Sequence, residues 1–272
     1  MSKPRMSMAG LMASALALGL FAPRAARSQS AEEIIDAHVK AMGGVEAIKA
    51  LKSVSRKGGV AVTSATIGEM AGVMELVLIP GRKAYQKMDL GVFIQSGGWN
   101  GDVAWQNGMM GLQKLEGRQA DQIRSQAWLN ALVSSRVLGQ EGSIAKLDDE
   151  KVGETDHHVL EITPPDGGPK LKIYVDKATH LIAQTKLKQT DDLSGAEMDV
   201  TIKESDFADY GGVKLPGKVV IELVGGPMGD LTLTTTYSET SVNGEVDQSI
   251  FEMPTPAAAA PSAPAGAAPS NP

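Results

Sequence analysis

The residues of this chain that could do chemistry are few and badly spaced for it. There are four histidines and no cysteine, so thiol nucleophiles, thiolate metal sites and disulfides are excluded by composition. His157 and His158 are adjacent on an alternating segment, where neighbours point to opposite faces, and so they are poorly placed to share one metal ion. Gly212-Val213-Lys214-Leu215-Pro216-Gly217-Lys218 has the spacing of a phosphate-binding loop. However, Val219 stands where Ser or Thr must reach magnesium, and a strand pattern follows instead of a helix. Asp148-Asp149-Glu150 and Asp191-Asp192 read as solvated turns. No serine sits in a Gly-x-Ser-x-Gly elbow and no His-Glu-x-x-His occurs. The reading is therefore a non-enzyme with no catalytic residues, no metal ligands and no cofactor.

The N-terminus says where the chain works. Lys3 and Arg5 precede an uncharged stretch from Met6 to Ala22 holding Leu11, Leu16, Leu18, Leu20 and Phe21, with small residues at Ala25, Ala26, Ser28 and Ser30 after it. That is the pattern of a secretory signal peptide over residues 1–30. Its apolar part is shorter than the ~20 residues a spanning helix needs, so it reads as cleaved, after Ser30 or after Ser28, with no stable membrane insertion afterwards. Removing Lys3, Arg5, Arg24 and Arg27 leaves 22 basic against 32 acidic residues, a net charge of −10. An exported acidic protein is a poor partner for nucleic acid. The other end, 255–272, is Pro, Ala, Ser, Gly, Thr and Asn and reads as an extended tail with nothing to bury. One domain over 31–254 remains.

Within it, Ser30-Ala31-Glu32-Glu33 reads as a capping box, and Ile34, Ile35, Val39 and Met42 recur at helical spacing until Gly43-Gly44. Val45, Ile48 and Leu51 mark a second short helix. After Ser53 the period becomes 2, and segments from Val54 to Thr240 read as ten to twelve antiparallel strands at hairpin spacing. One helical island interrupts them from Asp121 to Leu138, with Ile123, Ala127, Trp128, Leu132 and Val133 on one face. The fold class is mainly β with α. Such a sheet must bury one face, and the helices at 31–51 and 121–138 are the available cover.

Five phrases then resemble one family. They are Ile34-Ile35-Asp36-Ala37-His38 running to Met42-Gly43-Gly44-Val45-Glu46-Ala47-Ile48, and Asn100-Gly101-Asp102-Val103-Ala104-Trp105. Next come Ile173-Tyr174-Val175-Asp176 with Thr179-His180-Leu181, then Asp209-Tyr210-Gly211-Gly212-Val213-Lys214-Leu215-Pro216, and last Phe251-Glu252-Met253-Pro254. In this order they resemble the periplasmic LolA/LolB-like lipoprotein-carrier superfamily, in particular its outer-membrane lipoprotein-sorting branch. The resemblance implies an unclosed antiparallel half-barrel with a helical lid, located in the periplasm of a Gram-negative envelope. It also implies a lipid, a lipidated protein or another envelope protein as partner. No position matches the motif around the carriers' lipoprotein-gripping arginine, and the membrane-anchored acceptor type needs a cysteine that is absent. An apolar ligand groove is expected from Trp128 and Leu132 on the island, facing Met74, Leu76, Ile173 and Leu233 on strands, with Trp105 also lining it. The same residues would equally fill a closed core, and a protein-interaction or sensor module on the same fold is the alternative to a lipid carrier. Signal peptidase should leave a chain starting at Ala31 or Gln29, checked by intact mass of the exported protein; retention of residues 1–22 would contradict this reading.

Overall fold

The computed structural model describes residues 29–127, 129–138, 142–164, 168–190, 195–226 and 229–255. The expected leader up to residue 28 and the tail from 256 lie outside the described residues. Two helices open the domain, α1 (Ala31–Ala41) and α2 (Val45–Lys49). The capping box forms: Ser30 Oγ accepts from the Glu33 amide at 3.2 Å, and Glu33 Oε2 accepts from the Ser30 amide at 2.9 Å. Two of the donors left free at a helix start are thereby satisfied.

Six strands follow: β1 (Val54–Ser64), β2 (Gly68–Ile79), β3 (Lys83–Asp89), β4 (Ile94–Trp99), β5 (Ala104–Gly108) and β6 (Gly111–Leu115). Helices α3 (Gly117–Ser125) and α4 (Ala131–Leu138) come next, then β7 (Ser143–Lys146), β8 (Glu150–Val152), β9 (Thr155–Thr163) and β10 (Leu171–Asp176). The chain closes with β11 (Ile182–Thr190), β12 (Glu197–Tyr210), β13 (Val213–Val224), β14 (Leu231–Val242) and a 3-10 helix at Gln248–Phe251. All belong to one 14-stranded sheet in the order β6-β5-β4-β3-β2-β1-β14-β13-β12-β11-β10-β9-β7, with β8 on β9. Edges β6 and β7 do not meet, so the sheet is an open half-barrel. The expected architecture stands, with more strands than expected because β6, β7 and β8 have only 5, 4 and 3 residues. Runs that short carry almost no period.

Two sequence expectations need correction. The helical island is two helices, because Asn130 breaks it: its Oδ1 accepts from the Val133 amide at 2.9 Å and so caps a new helix. Asp149 is not simply a solvated turn residue. Its carboxylate meets Lys146 Nζ at 2.7 Å, Lys177 Nζ at 2.7 Å and His158 Nδ1 at 3.1 Å. Against the cost of partial burial, those three donors hold it well below the usual carboxylate range.

Alternation along β1 lays out the inner face. Val54, Arg56, Val60, Val62 and Ser64 are buried while Lys57, Gly59, Ala61 and Thr63 are exposed. At the Val54 end, α1, α2 and α4 close over the sheet in the main core, which includes Ile34, Ile35, Val39, Met42, Leu132, Val133, Leu160, Ile173, Val175 and Val213. A small second cluster holds α3 on β5 and β6 through Ala104, Leu115, Ala120 and Ile123. The third, at the Val62 end, contains no helical residue: Val60, Val62 and Leu90, with Met70, Met74, Met88, Phe93, Leu231 and Leu233 against them.

His38 locks the helix end. It is fully buried, its Nδ1 lies 2.9 Å from the His180 carbonyl oxygen, and its Nε2 lies 3.1 Å from Asn130 Nδ2. A carbonyl only accepts, so Nδ1 carries the proton and Nε2 accepts from the same Asn130 that caps α4. One neutral imidazole therefore ties α1, α4 and the β10–β11 turn together. Desolvation pushes its pKa below the ordinary value. The unfolded chain then binds the extra proton first, so stability is full above the ordinary histidine pKa of about 6.5 and falls as pH drops below it, by up to about 1.4 kcal/mol per unit. Urea unfolding at pH 7.5, 6.5 and 5.5 checks this. His38→Gln should be less stable at pH 7.5 and should flatten the slope below 6.5.

Candidate functional site: the concave face of the sheet

Register assigns the inner face strand by strand, since residues paired across a ladder point the same way. One transverse row runs Met70, Val62, Leu233, Ile221, Ile202, Thr185, Ile173 across seven strands from β2 to β10. The next row toward the open end is Ser64, Leu231, Leu223, Val200 and Leu187. Met74 and Met88 pair on the same face. Apart from the buried Val62, Val200 and Ile173, the aliphatic members of these rows are only half-buried. The middle of the inner face is thus an aliphatic strip that is only partly covered. Where β11 leaves β12 beyond the Gln184–Lys203 pair, an open pocket of about 590 Å³ is lined by Leu181, Ile182, Ala183, Glu204, Phe207 and Lys214, among others.

Between the strip and the helix-covered core stands a polar node. Arg56 follows Val54 on the inner face and is 7% exposed. Its guanidinium stacks 3.5 Å from the centre of the Tyr237 ring, donates from Nε to Thr240 Oγ1 at 3.3 Å and donates from Nη2 to the Pro216 carbonyl. Pro216 lies before the β13–β14 ladder, which begins at Lys218↔Thr236. Among the described residues no carboxylate forms a direct ion pair with Arg56. Glu204, on the inner face beside Val219, is a carboxylate whose charge acts on it, and burial pushes the Glu204 carboxyl up to about 7. Desolvation lowers the Arg56 pKa and raises that of Tyr237. The node is a weakly compensated positive charge set in apolar surroundings.

The residues expected to line a groove are divided by the structure. Leu132 and Ile173 are 0% and 1% exposed in the main core, with Leu76 at its margin. Met74 and Leu233 sit together in the open cluster. Trp105 stands on the outer face, since Ala104 pairs with the inward Trp99; its Nε1 donates to the Phe251 carbonyl at 2.9 Å. Trp128 lies outside the described residues. Arg56, Glu204 and His38 were missed as candidates, although each carried a signal: a polar residue standing on the apolar phase of its own strand or helix. His157 faces outward and His158 inward, and among the described residues no group of three potential metal ligands occurs.

Comparison with solved structures bears on this geometry. A LolA superfamily protein from Nitrosomonas europaea superposes with a TM-score of 0.56 at 14% identity, covering 83% of this chain and 98% of that one. A domain assigned to the outer membrane lipoprotein-sorting proteins of Vibrio parahaemolyticus gives 0.53 at 14% identity, covering 80% and 94%. The chain has the LolA-like fold. A DUF1329 family protein from Desulfovibrio piger gives 0.55 at 12% identity over 83% of this chain and 98% of that one. No protein-family model and no curated protein matches the sequence. In this LolA-like chain the helix end is a closed core and the strip is not, so the two should respond differently to truncation. Leu132→Ala should cost about 2–5 kcal/mol through lost burial and a new cavity, and Leu233→Ala about 1 kcal/mol, measured by urea unfolding at pH 7.5.

Proposed function

We propose that the chain is an exported, periplasmic binding or carrier protein whose concave face takes an acyl chain or a similar apolar ligand, as free lipid or as the lipid of a lipidated protein. The observation that carries this is the half-buried strip of Met70, Met74, Met88, Leu233, Ile221 and Ile202, the first four of which belong to the Val62-end cluster that contains no helix residue. Partly open aliphatic side chains set side by side on one face are a surface that an apolar ligand can complete. Concave apolar surfaces with a few convergent polar groups are ligand sites, and Arg56 and Glu204 supply the polar groups at the inner end. The fold supports the reading through the lipoprotein-sorting description of the Vibrio domain. The same reading makes residues 1–30 a leader, 31–254 the binding domain and 255–272 a tail, with no catalytic role.

The mature protein should carry lipid when purified, seen by mass spectrometry of an organic extract, and should bind a fluorescent fatty-acid analogue. Leu233→Asn with Met74→Gln should weaken that binding at least tenfold, about 1.4 kcal/mol, with the melting temperature lowered by only a few degrees. A wild-type protein that is folded, lipid-free and unable to bind the analogue would overturn the carrier reading and favour a protein-interaction module.

A further inference from the structure

Among the described residues seven large apolar side chains are exposed: Ile67, Val73, Val92, Ile94, Met109, Met110 and Val224. Six of them lie on or beside the turns at one end of the half-barrel. Ile67 is in the β1–β2 turn, Val92 and Ile94 are at the β3–β4 turn, Met109 and Met110 form the β5–β6 turn, and Val224 ends β13. In an antiparallel meander alternate turns share one end, and this is the end away from α1, α2 and α4. Val92 is 90% exposed and Met109 is 89% exposed, values that leave these side chains almost wholly in water.

We propose that this rim docks on the surface of an uncharged lipid bilayer, with Val92, Ile94, Met109 and Met110 entering the headgroup region. Charge selects that partner. Between Asp89 and Lys114 the sequence has a single charged residue, Asp102, and it belongs to the β4–β5 turn at the opposite end. Of the other connections at this end, β1–β2 and β13–β14 are flanked by Glu69 and Asp230 with no Lys or Arg, β11–β12 contains Asp191 and Asp192, and the single cation of β9–β10, Lys170, is paired with Glu161 at 2.7 Å, so an anionic surface would repel the rim rather than attract it. Shape selects it too. The apolar residues stand one or two to a turn, separated by strand spacings, so they present no continuous patch of the kind a specific protein partner packs against. A fluid interface accepts separate fingers, and binding there scales with the apolar area inserted. Continuity is the third argument. In the β3–β4 turn Val92 points out while Leu90 and Phe93 join the cluster with Met70, Met74 and Met88. The apolar lining therefore runs from the inner face to the exposed tips without a charged residue between them.

The docking stands without the carrier reading, but it would give a ligand of the strip a dry route to and from the bilayer. The test is flotation of the exported chain with phosphatidylcholine vesicles. Wild type should float with them, and mixing in phosphatidylglycerol should weaken the association. Met109→Asp with Met110→Asp, and separately Val92→Asp, should reduce flotation at least tenfold. Val92 and Met109 are almost wholly exposed and Met110 is 69% exposed, so melting temperature and uptake of a fatty-acid analogue offered without vesicles should change little. Wild type that stays with the soluble fraction, or rim variants that float like wild type, would overturn the docking. Flotation intact in a protein that takes up no analogue would instead reject the carrier reading and leave the docking in place.

Discussion

A sheet that is apolar on one face and does not close must cover that face with something else. Among the described residues four α-helices of 11, 5, 9 and 8 residues are there to lay over fourteen strands. The supply is too small, and the layout follows from the shortfall. Three helices go to one end, where they bury Ile34, Leu132, Val133 and Ile173 almost completely, and α3 goes to the β5–β6 margin. The opposite end is left with aliphatic side chains from neighbouring strands covering one another. Stability is therefore concentrated where helices and strands interlock, and adaptability is left where only strands contribute.

The joints that fix the helix end explain why the fold was legible in the sequence. Phrases far apart in the chain turn out to be the two halves of contacts. Met42-Gly43-Gly44 meets Gly211-Gly212-Val213-Lys214: the Lys214 amide donates to the Met42 carbonyl at 2.9 Å, and the backbones approach so closely that Gly43 has no room for a Cβ beside Gly212. His38 meets His180 at 2.9 Å. Asn100 donates to Glu252 Oε2 at 2.7 Å, and Trp105 to the Phe251 carbonyl. Such positions admit few residue types, because a left-handed backbone, a missing Cβ or a matched donor is needed at each. Surface and strip positions carry no such demand, so any aliphatic residue of suitable size serves there.

The site was less legible for the same reason. Alternation tells which residues share a face but not which face is inside, and a one-residue difference in phase sends a side chain to the other side. Trp105 shows this: expected in the groove, it seals the outer face, its Nε1 donating to the Phe251 carbonyl of the 3-10 helix. Leu132 was rightly placed on the apolar side of a helix, but periodicity cannot distinguish a lid from a core, and the helix ends by Asn130 in a closed one. Charged residues on apolar phases were the better clue. Val54-x-Arg56 in β1 and Ile202-x-Glu204 in β12 each break an aliphatic series with a charge, and the two breaks converge in space.

That convergence argues against reading the inner face as a core that is merely loose. A buried arginine with no carboxylate in direct contact is costly, and well-packed aliphatic residues in its place would often be neutral or stabilising. Glu204 relieves little of that cost, since its own burial leaves it only partly ionised near neutral pH. A strip meant only to be buried would have no reason to end in such a pair. On the carrier reading the arrangement is coherent. Methionines at 70, 74 and 88 can follow the shape of different chains, the aliphatic rows of β1 and β12 to β14 give them length, and the polar node stops an apolar chain before it reaches the helix-covered core. The node then holds the polar end of an amphiphile at a fixed depth, while Met42, Val213 and Leu132 behind it stay packed whether or not the strip is filled.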